Sequence, residues 1–421
     1  MFDNAPISSS RTLGSPTSFP VQGADDIVRR VASRLAAILV IVATLLLAAG
    51  TSVALAAPSG FDTGRSARTA KATSPWSWSV SSRNWTRSSR VLPAGLVRRG
   101  PRAPINRGQF LSALLRVQAL RGEPRQRLMR SRRSAPALRD ARAGSAAARA
   151  VARGWFPARN GRFDAKAAIT TDEAALAITS ALGLRGSVSQ LAVKLRSELP
   201  GTRMHFTYAA ANALARTLGL RYNVKDPDDE LELGPGEALN VAHGSYMLQA
   251  AATQASGWKY DDAVDLAATF ELPDLGPNQL LVLGTAARML GQPYVWAGET
   301  EGDQAEGHGG FDCSGFAIRV VNEAGVPVDQ LDRVLERTTY TQSALPASRR
   351  IGQDQLQPGD VMFFGDRGPS SSPSQNFHAG VYMGNGWFIH SSGGNGGVAI
   401  NALDGWWGEH FSWGRRALRT A

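Results

Sequence analysis

The sequence predicts an α+β chain, all-α through its middle and mixed in its last third. Three observations carry this. Ala-rich stretches with apolar residues at helical spacing run from residue 105 to about 270, and a further helix opens at Cys313. Residues 378 to 390 then alternate apolar and polar positions about a Gly-Asn-Gly turn, the pattern of a hairpin. Helices followed by segregated antiparallel strands is the α+β order.

In chain order, residues 1–34 precede an uncharged run, 35–57, which follows Arg29, Arg30 and Arg34 and ends in Ala54-Leu55-Ala56. Small residues at that spacing mark a secretory signal with a cleavage site. The run's 23 residues also suffice to cross a bilayer, which takes about 20. Cleaved signal and retained membrane anchor both fit, and either puts the rest of the chain outside the cytoplasm. Residues 58–104 are rich in Ser, Arg, Thr and Pro, with isolated Trp76, Trp78 and Trp85, and read as a basic disordered linker.

The formal charge is +11, from 46 Lys+Arg against 35 Asp+Glu, and it is concentrated. Residues 61–165 hold 23 basic and 4 acidic side chains, whereas 277–421 hold 10 and 14. Only 5 of the 46 basic residues are Lys, so a base-composition origin fits the Arg load as well as a ligand does. A nucleic-acid partner is not expected: the basic stretch has scattered Trp, no nucleic-acid motif, and an export signal before it.

Helical spacing places Phe110, Leu111, Leu114, Leu115 and Leu120 on one face, and Ala-rich helices are expected near 136–153, 172–183, 208–219 and 236–254, with Gly183 and Gly219 at ends. Two lead-ins share an apolar residue, a polar pair and an Ala/Phe run: Ile105-Asn106-Arg107-Gly108-Gln109-Phe110 and Ile169-Thr170-Thr171-Asp172-Glu173-Ala174. From Gly154-Trp155-Phe156 through Asn160-Gly161-Arg162-Phe163 to Leu184, the chain resembles the surface-layer homology modules of bacterial walls. Thr171 stands where those modules usually carry Arg. An Ala-rich helical spacer over 105–270 fits equally.

The last third carries the chemistry. A helix over 278–290 ends at Gly291 and leads into Pro293-Tyr294-Val295-Trp296, an acidic Gly-rich loop, and Phe311-Asp312-Cys313-Ser314-Gly315-Phe316. Apolar residues at 316, 317, 320, 321 and 324 make Cys313 the first turn of a helix. A lone Cys is most often an inert buried hydrophobe. On an exported chain an unused free thiol is a liability, and a helix N-terminus helps lower a thiol pKa, which nucleophilic attack requires.

Such a thiol needs a base. A three-residue turn, 384–386 with Gly386 left-handed, pairs Met383 with Trp387 and Gly380 with His390, and sets His378 and His390 on one face. It leaves Ala379, Val381, Met383, Trp387 and Ile389 for the core. A two-residue Asn385-Gly386 turn would place the two His on opposite faces. His205, His243, His308 and His410 read as surface or satisfied core residues. No metal site and no cofactor are expected: there is no close His pair and no second Cys.

Pro293-Tyr294-Val295-Trp296, Asp312-Cys313-Ser314-Gly315-Phe316, Leu356-Gln357-Pro358-Gly359-Asp360-Val361, His378-Ala379-Gly380-Val381-Tyr382 and Ile389-His390 resemble, in order and spacing, the NlpC-type cell-wall cysteine peptidases. The resemblance covers 277–421. It implies a papain-like domain with a Cys-bearing helix on an antiparallel sheet. It implies Cys313 as nucleophile, His378 as base and His390 as the orienting third residue, with Tyr294, Asp312 and Ser314 lining the site. The loop from Ala297 to Gly310 is longer and more acidic than is usual there. The implied function is an exported bacterial peptidoglycan hydrolase, a cysteine endopeptidase cutting the stem peptide between D-glutamate and the diamino acid. The Arg-rich segment would meet acidic wall polymers or an anionic membrane surface. An amidase or acyltransferase on the same fold, and a wall-binding protein whose peptidase domain is inactive or occluded, are the competing expectations.

Overall fold

Three spaced lead-ins organise the helical region. The structure, a computed structural model, describes residues 91–121, 138–220, 232–253, 257–301, 309–332 and 335–419. The uncharged run 35–57, the stretch 58–90 and His308 lie outside them. After a single helical turn at Ala94–Val97, the longer upstream helices are α1 (Arg107–Leu120), α2 (Ala146–Ala152), α3 (Thr171–Thr179), α4 (Arg185–Glu198), α5 (Phe206–Thr217), α6 (Val241–Thr253) and α7 (Trp258–Thr269). Ile105 donates its N–H to Leu239 O at 2.9 Å, Leu239 to Ile169 O at 2.8 Å, and Ile169 to Ile105 O at 3.1 Å. These bonds close a three-membered ring, and all three apolar side chains are fully buried. Each lead-in then ends in a capping side chain. Asn106 accepts from Gln109 N–H, Thr170 from Glu173 N–H and Asn240 from His243 N–H, satisfying donors a helix start leaves unpaired.

The repeat is thus threefold, with the third copy at Leu239-Asn240. In the first copy Arg107 is fully buried, bonded to Glu173, to Phe163 O at 2.8 Å and to Pro157 O at 2.6 Å. Two expectations change. Residues 91–104, assigned to the linker, pack into the core through Val91, Leu92 and Leu96. Leu120, assigned to the buried face of α1, is exposed at the end of the helix. Gly183 ends α3 as expected: its φ of 92° is left-handed and non-helical, and the chain kinks there before α4 begins.

In the last third come α8 (Pro277–Arg288), β1 (Glu299–Thr300), β2 (Gly310–Phe311), α9 (Cys313–Asn322) and α10 (Thr339–Ser343). Then follow β3 (Val361–Gly365), β4 (Asn376–Gly384), β5 (Trp387–Ser392), β6 (Gly397–Ala402), α11 (Gly405–His410) and β7 (Phe411–Arg415). The five longer strands form one antiparallel sheet in the order β6-β5-β4-β3-β7. On one face Val361, Phe363, Ala379, Val381, Ile389 and Trp413 share a core with Phe316, Ala317, Val320 and Val321 of α9. On the other, Met362, Phe364, Phe388, Leu403 and Phe411 form a second core, with Trp407 packed against it. The domain is the expected Cys-bearing helix on an antiparallel sheet. Its first core runs without a break into the upstream helices, as where Phe270 meets Trp387 at 5.8 Å between ring centroids.

Candidate active site

The hairpin β4–β5 sets the two histidines. Val381 pairs with Ile389 and Tyr382 with Phe388, the strand register expected from the apolar pattern. The turn differs from the expected three-residue loop. It is the two residues Asn385 and Gly386, both left-handed at φ 50° and 79°, and Gly384 pairs with Trp387. A primed two-residue turn suits strand twist, and the surplus residue goes into an irregularity between Tyr382 and Gly384 that leaves the faces unchanged. His378 and His390 therefore share a face after all. His378 Nε2 lies 2.7 Å from His390 Nδ1.

A further residue completes this line. Asn401, on β6, presents Oδ1 at 2.9 Å from His390 Nε2. A carbonyl oxygen only accepts, so His390 carries its proton on Nε2 and its Nδ1 accepts from His378 Nε2–H. That tautomer leaves a lone pair on His378 Nδ1. Trp407 packs on both rings, 5.2 Å from His378 and 4.8 Å from His390 between centroids. Burial lowers the pKa of His378 well below the ordinary imidazole value, the neighbouring His390 adding to the effect. Burial lowers His390 to about 4, against its bond to Asn401. Both rings rest neutral.

Cys313 opens α9 behind the N-cap Asp312, whose side chain accepts from Gly315 N–H at 2.7 Å. The expected lowering of the thiol pKa is overturned. Burial pushes Cys313 up to about 11, and the Asp312 carboxylate raises it further, outweighing Thr339 and the backbone N–H groups of Ala379 and Ser314. The side-chain partner of Sγ is Thr339 Oγ1, at 3.6 Å. Among the described residues the thiol makes no hydrogen bond to His378, though Ala379, whose N–H it accepts, is the next residue in β4.

Asp312 and Ser314 are tied together. Ser314 Oγ donates to Asp312 Oδ1 at 3.1 Å, and Arg337 bridges both, reaching Asp312 Oδ2 at 2.8 Å and Ser314 Oγ at 2.9 Å. Arg337 also pairs with Glu299 of β1. Gln342, fully buried, donates to Ser314 O at 3.1 Å. Tyr294 is half-buried and bridges to Phe311, two residues before Cys313. Arg337, Thr339, Gln342 and Asn401 carry no sequence signature. The first three lie in a segment without periodicity, and Asn401 is reached only through cross-strand pairing. Of the other histidines, His205 caps α5, His243 accepts from Leu233 N–H, and His410 stacks on Trp406.

The family model described as NlpC/P60 matches residues 291–416. Probable endopeptidase NlpC of Escherichia coli is 33% identical over 127 residues, 30% of this chain and 70% of the relative. A probable endopeptidase of Mycobacterium tuberculosis is 31% identical over 124 residues, 29% of this chain, and the match spans 26% of that relative's length. Among solved structures, the P60 domain of an antigen from M. avium subspecies paratuberculosis is 26% identical, with a TM-score of 0.27, over 34% of this chain and 96% of that one. The E. coli relative is matched over more than two thirds of its length at a third identity, and on that ground the chain belongs to the NlpC/P60 family.

Proposed function

We propose that the chain is a cysteine endopeptidase acting on the stem peptide of bacterial peptidoglycan. The observation that carries this is the line Asn401–His390–His378, with Cys313 at the N-terminus of α9 accepting the N–H of Ala379, the residue after His378. Curated relatives of the family bear the name endopeptidase. Cys313 is the nucleophile, His378 the base and His390 the orienting residue. The resting pair is a thiol and a neutral imidazole, so the Sγ proton passes to His378 Nδ1 as Sγ bonds the carbonyl carbon. N–H groups at the start of α9 take the oxyanion. His378 then protonates the leaving amine, and the thioester is hydrolysed by water activated on the same ring. Tyr294, Asp312 and Ser314 shape the substrate side, and the bond cut is the one between D-glutamate and the diamino acid. Residues 35–57 would export or tether the chain at the wall, the Arg-rich segment would meet acidic wall polymers or anionic lipid, and residues 105–270 would hold the wall.

Mass spectrometry of defined muropeptides incubated with the full chain tests this. Cys313→Ala is expected to lower the rate by a factor on the order of 10⁴ or more, and undiminished cleavage would refute the nucleophile. An amine product other than that of the diamino acid would move the reading to an amidase. One observation favours a second reading, an occluded peptidase: Cys313 is only 9% exposed and bonded to Thr339. On that reading the wild-type chain leaves muropeptides intact until Thr339→Gly removes side-chain volume from beside the thiol.

A further inference from the structure

We infer that Arg216, in the upstream helix α5, is a positioning residue for the catalytic cleft, so that the helical region forms a wall of the active site. The inference rests on the peptidase reading only for its activity readout. Arg216 is 1% exposed. Its Nη2 donates to Gly291 O at 2.9 Å and Gln292 O at 2.8 Å, and its Nη1 donates to Gly396 O and to Glu232 Oε1, the latter at 2.9 Å. One guanidinium thus gathers three carbonyls of the peptidase domain, with a buried carboxylate balancing its charge. A planar fork of donors can do this; a single ammonium cannot reach all three in fixed geometry.

Those carbonyls belong to two paired segments, 291–298, which carries Tyr294, and 396–398, which opens β6. Tyr294 donates its N–H to Gly396 O at 3.3 Å, and Val398 donates to Gln292 O at 2.9 Å. Phe311, which leads into Asp312 and Cys313, donates to Pro293 O at 3.1 Å. Ser391, beside His390, bonds Phe311 O at 2.7 Å. The approach of α5 is close enough to require glycine at two points. A Cβ on Gly291, at φ 94°, would lie 2.7 Å from Asn212 Cγ of α5, and one on Gly397 would collide with Gln292 O and the Arg216 guanidinium. Without the guanidinium, three buried carbonyl oxygens lose their shared donor, and the segments carrying Tyr294 and β2 are free to part.

The experiment is hydrogen exchange and muropeptide kinetics on the full chain. In Arg216→Met, amides in 291–298 and 396–398 are expected to exchange at least tenfold faster while those of β3 and β4 keep wild-type rates. kcat/KM is expected to fall at least tenfold, mainly through KM, because the Tyr294 side of the cleft is loosened. Arg216→Lys recovers part of both. Wild-type exchange at 291–298, or uniform acceleration across the sheet, would overturn the inference. If Arg216→Met does not fold, Arg216→Lys alone carries the same comparison at smaller amplitude. A wild-type chain that cleaves no muropeptide refutes the peptidase reading, while the exchange pattern still decides for or against the clamp.

Discussion

Asn401 governs two rings through one hydrogen bond. Replacing it with Leu frees His390 to take either tautomer, and half of those arrangements place a proton where the thiol proton must go. The expected outcome is a fall in kcat with little change in KM. Asn401→Asp places a carboxylate on the same line, favours the imidazolium, and is expected to move the acid limb of the pH–rate profile to higher pH. An unmoved limb would deny Asn401 any part in the relay. The buried rings also tie stability to pH. Their folded pKa values lie below the ordinary 6.5, His390 at about 4. The unfolded chain therefore binds more protons between these values, and the contribution is whole above about pH 6.5 and lost as pH falls toward 4. Asp360, which burial raises to about 7, has the opposite sense: its contribution is whole below about pH 4 and lost as pH rises through 7. The two slopes are separated by comparison with His390→Asn. The melting temperature of wild type relative to this variant is expected to fall on acidification from pH 6.5 to 4. Asp312 gives a third test. Because its carboxylate helps hold the thiol near 11, Asp312→Asn should lower the pKa of Cys313, read as alkylation rate against pH.

Helix α9 and the β4–β5 hairpin show how an element carries a site. The helix was readable because the apolar residues at 316, 317, 320, 321 and 324 repeat at helical spacing, and the structure adds Asp312 as its cap. Asp312→Asn keeps the cap, whereas Asp312→Ala removes it and is expected to cost about 1 kcal/mol of stability, a typical loss for an N-cap. Denaturant melts of the two variants separate cap from charge. In the hairpin, the apolar set Ala379, Val381, Met383 and Ile389 had to face the core, which set the register whatever the turn did. The turn followed local backbone preference, and the irregularity near Met383 reconciled the two. Strand β3 was not readable, because all five of its residues are buried between two cores and no polar alternation remains. Helices α4 and α7 were missed because neither has a capping side chain to mark its start, and α4 opens directly after the kink at Gly183.

The molecule joins its two halves through a shared core and through Arg216. Residues 277–421 expressed without the upstream helices would expose the packing around Trp387 and leave the carbonyls of Gly291, Gln292 and Gly396 without their donor. Such a fragment is expected to melt well below the full chain and to aggregate, as judged by calorimetry and light scattering. An equal melting temperature would mean the halves are independent. The excess positive charge lies outside residues 277–421, so the proposed attachment to anionic walls or vesicles should weaken with added salt while the proposed turnover of small muropeptides stays nearly unchanged. The sequence alone sufficed for the α+β order, the strand register of the hairpin and the common face of His378 and His390, because these depend on periodicity. Folding in three dimensions decided the rest. Burial turned an expected thiolate into a thiol, cross-strand pairing brought Asn401 to His390, and a helix about a hundred residues upstream of Cys313 closed on the loops beside the cleft. Each depends on contacts between distant segments and on the desolvation they produce, which no local pattern encodes.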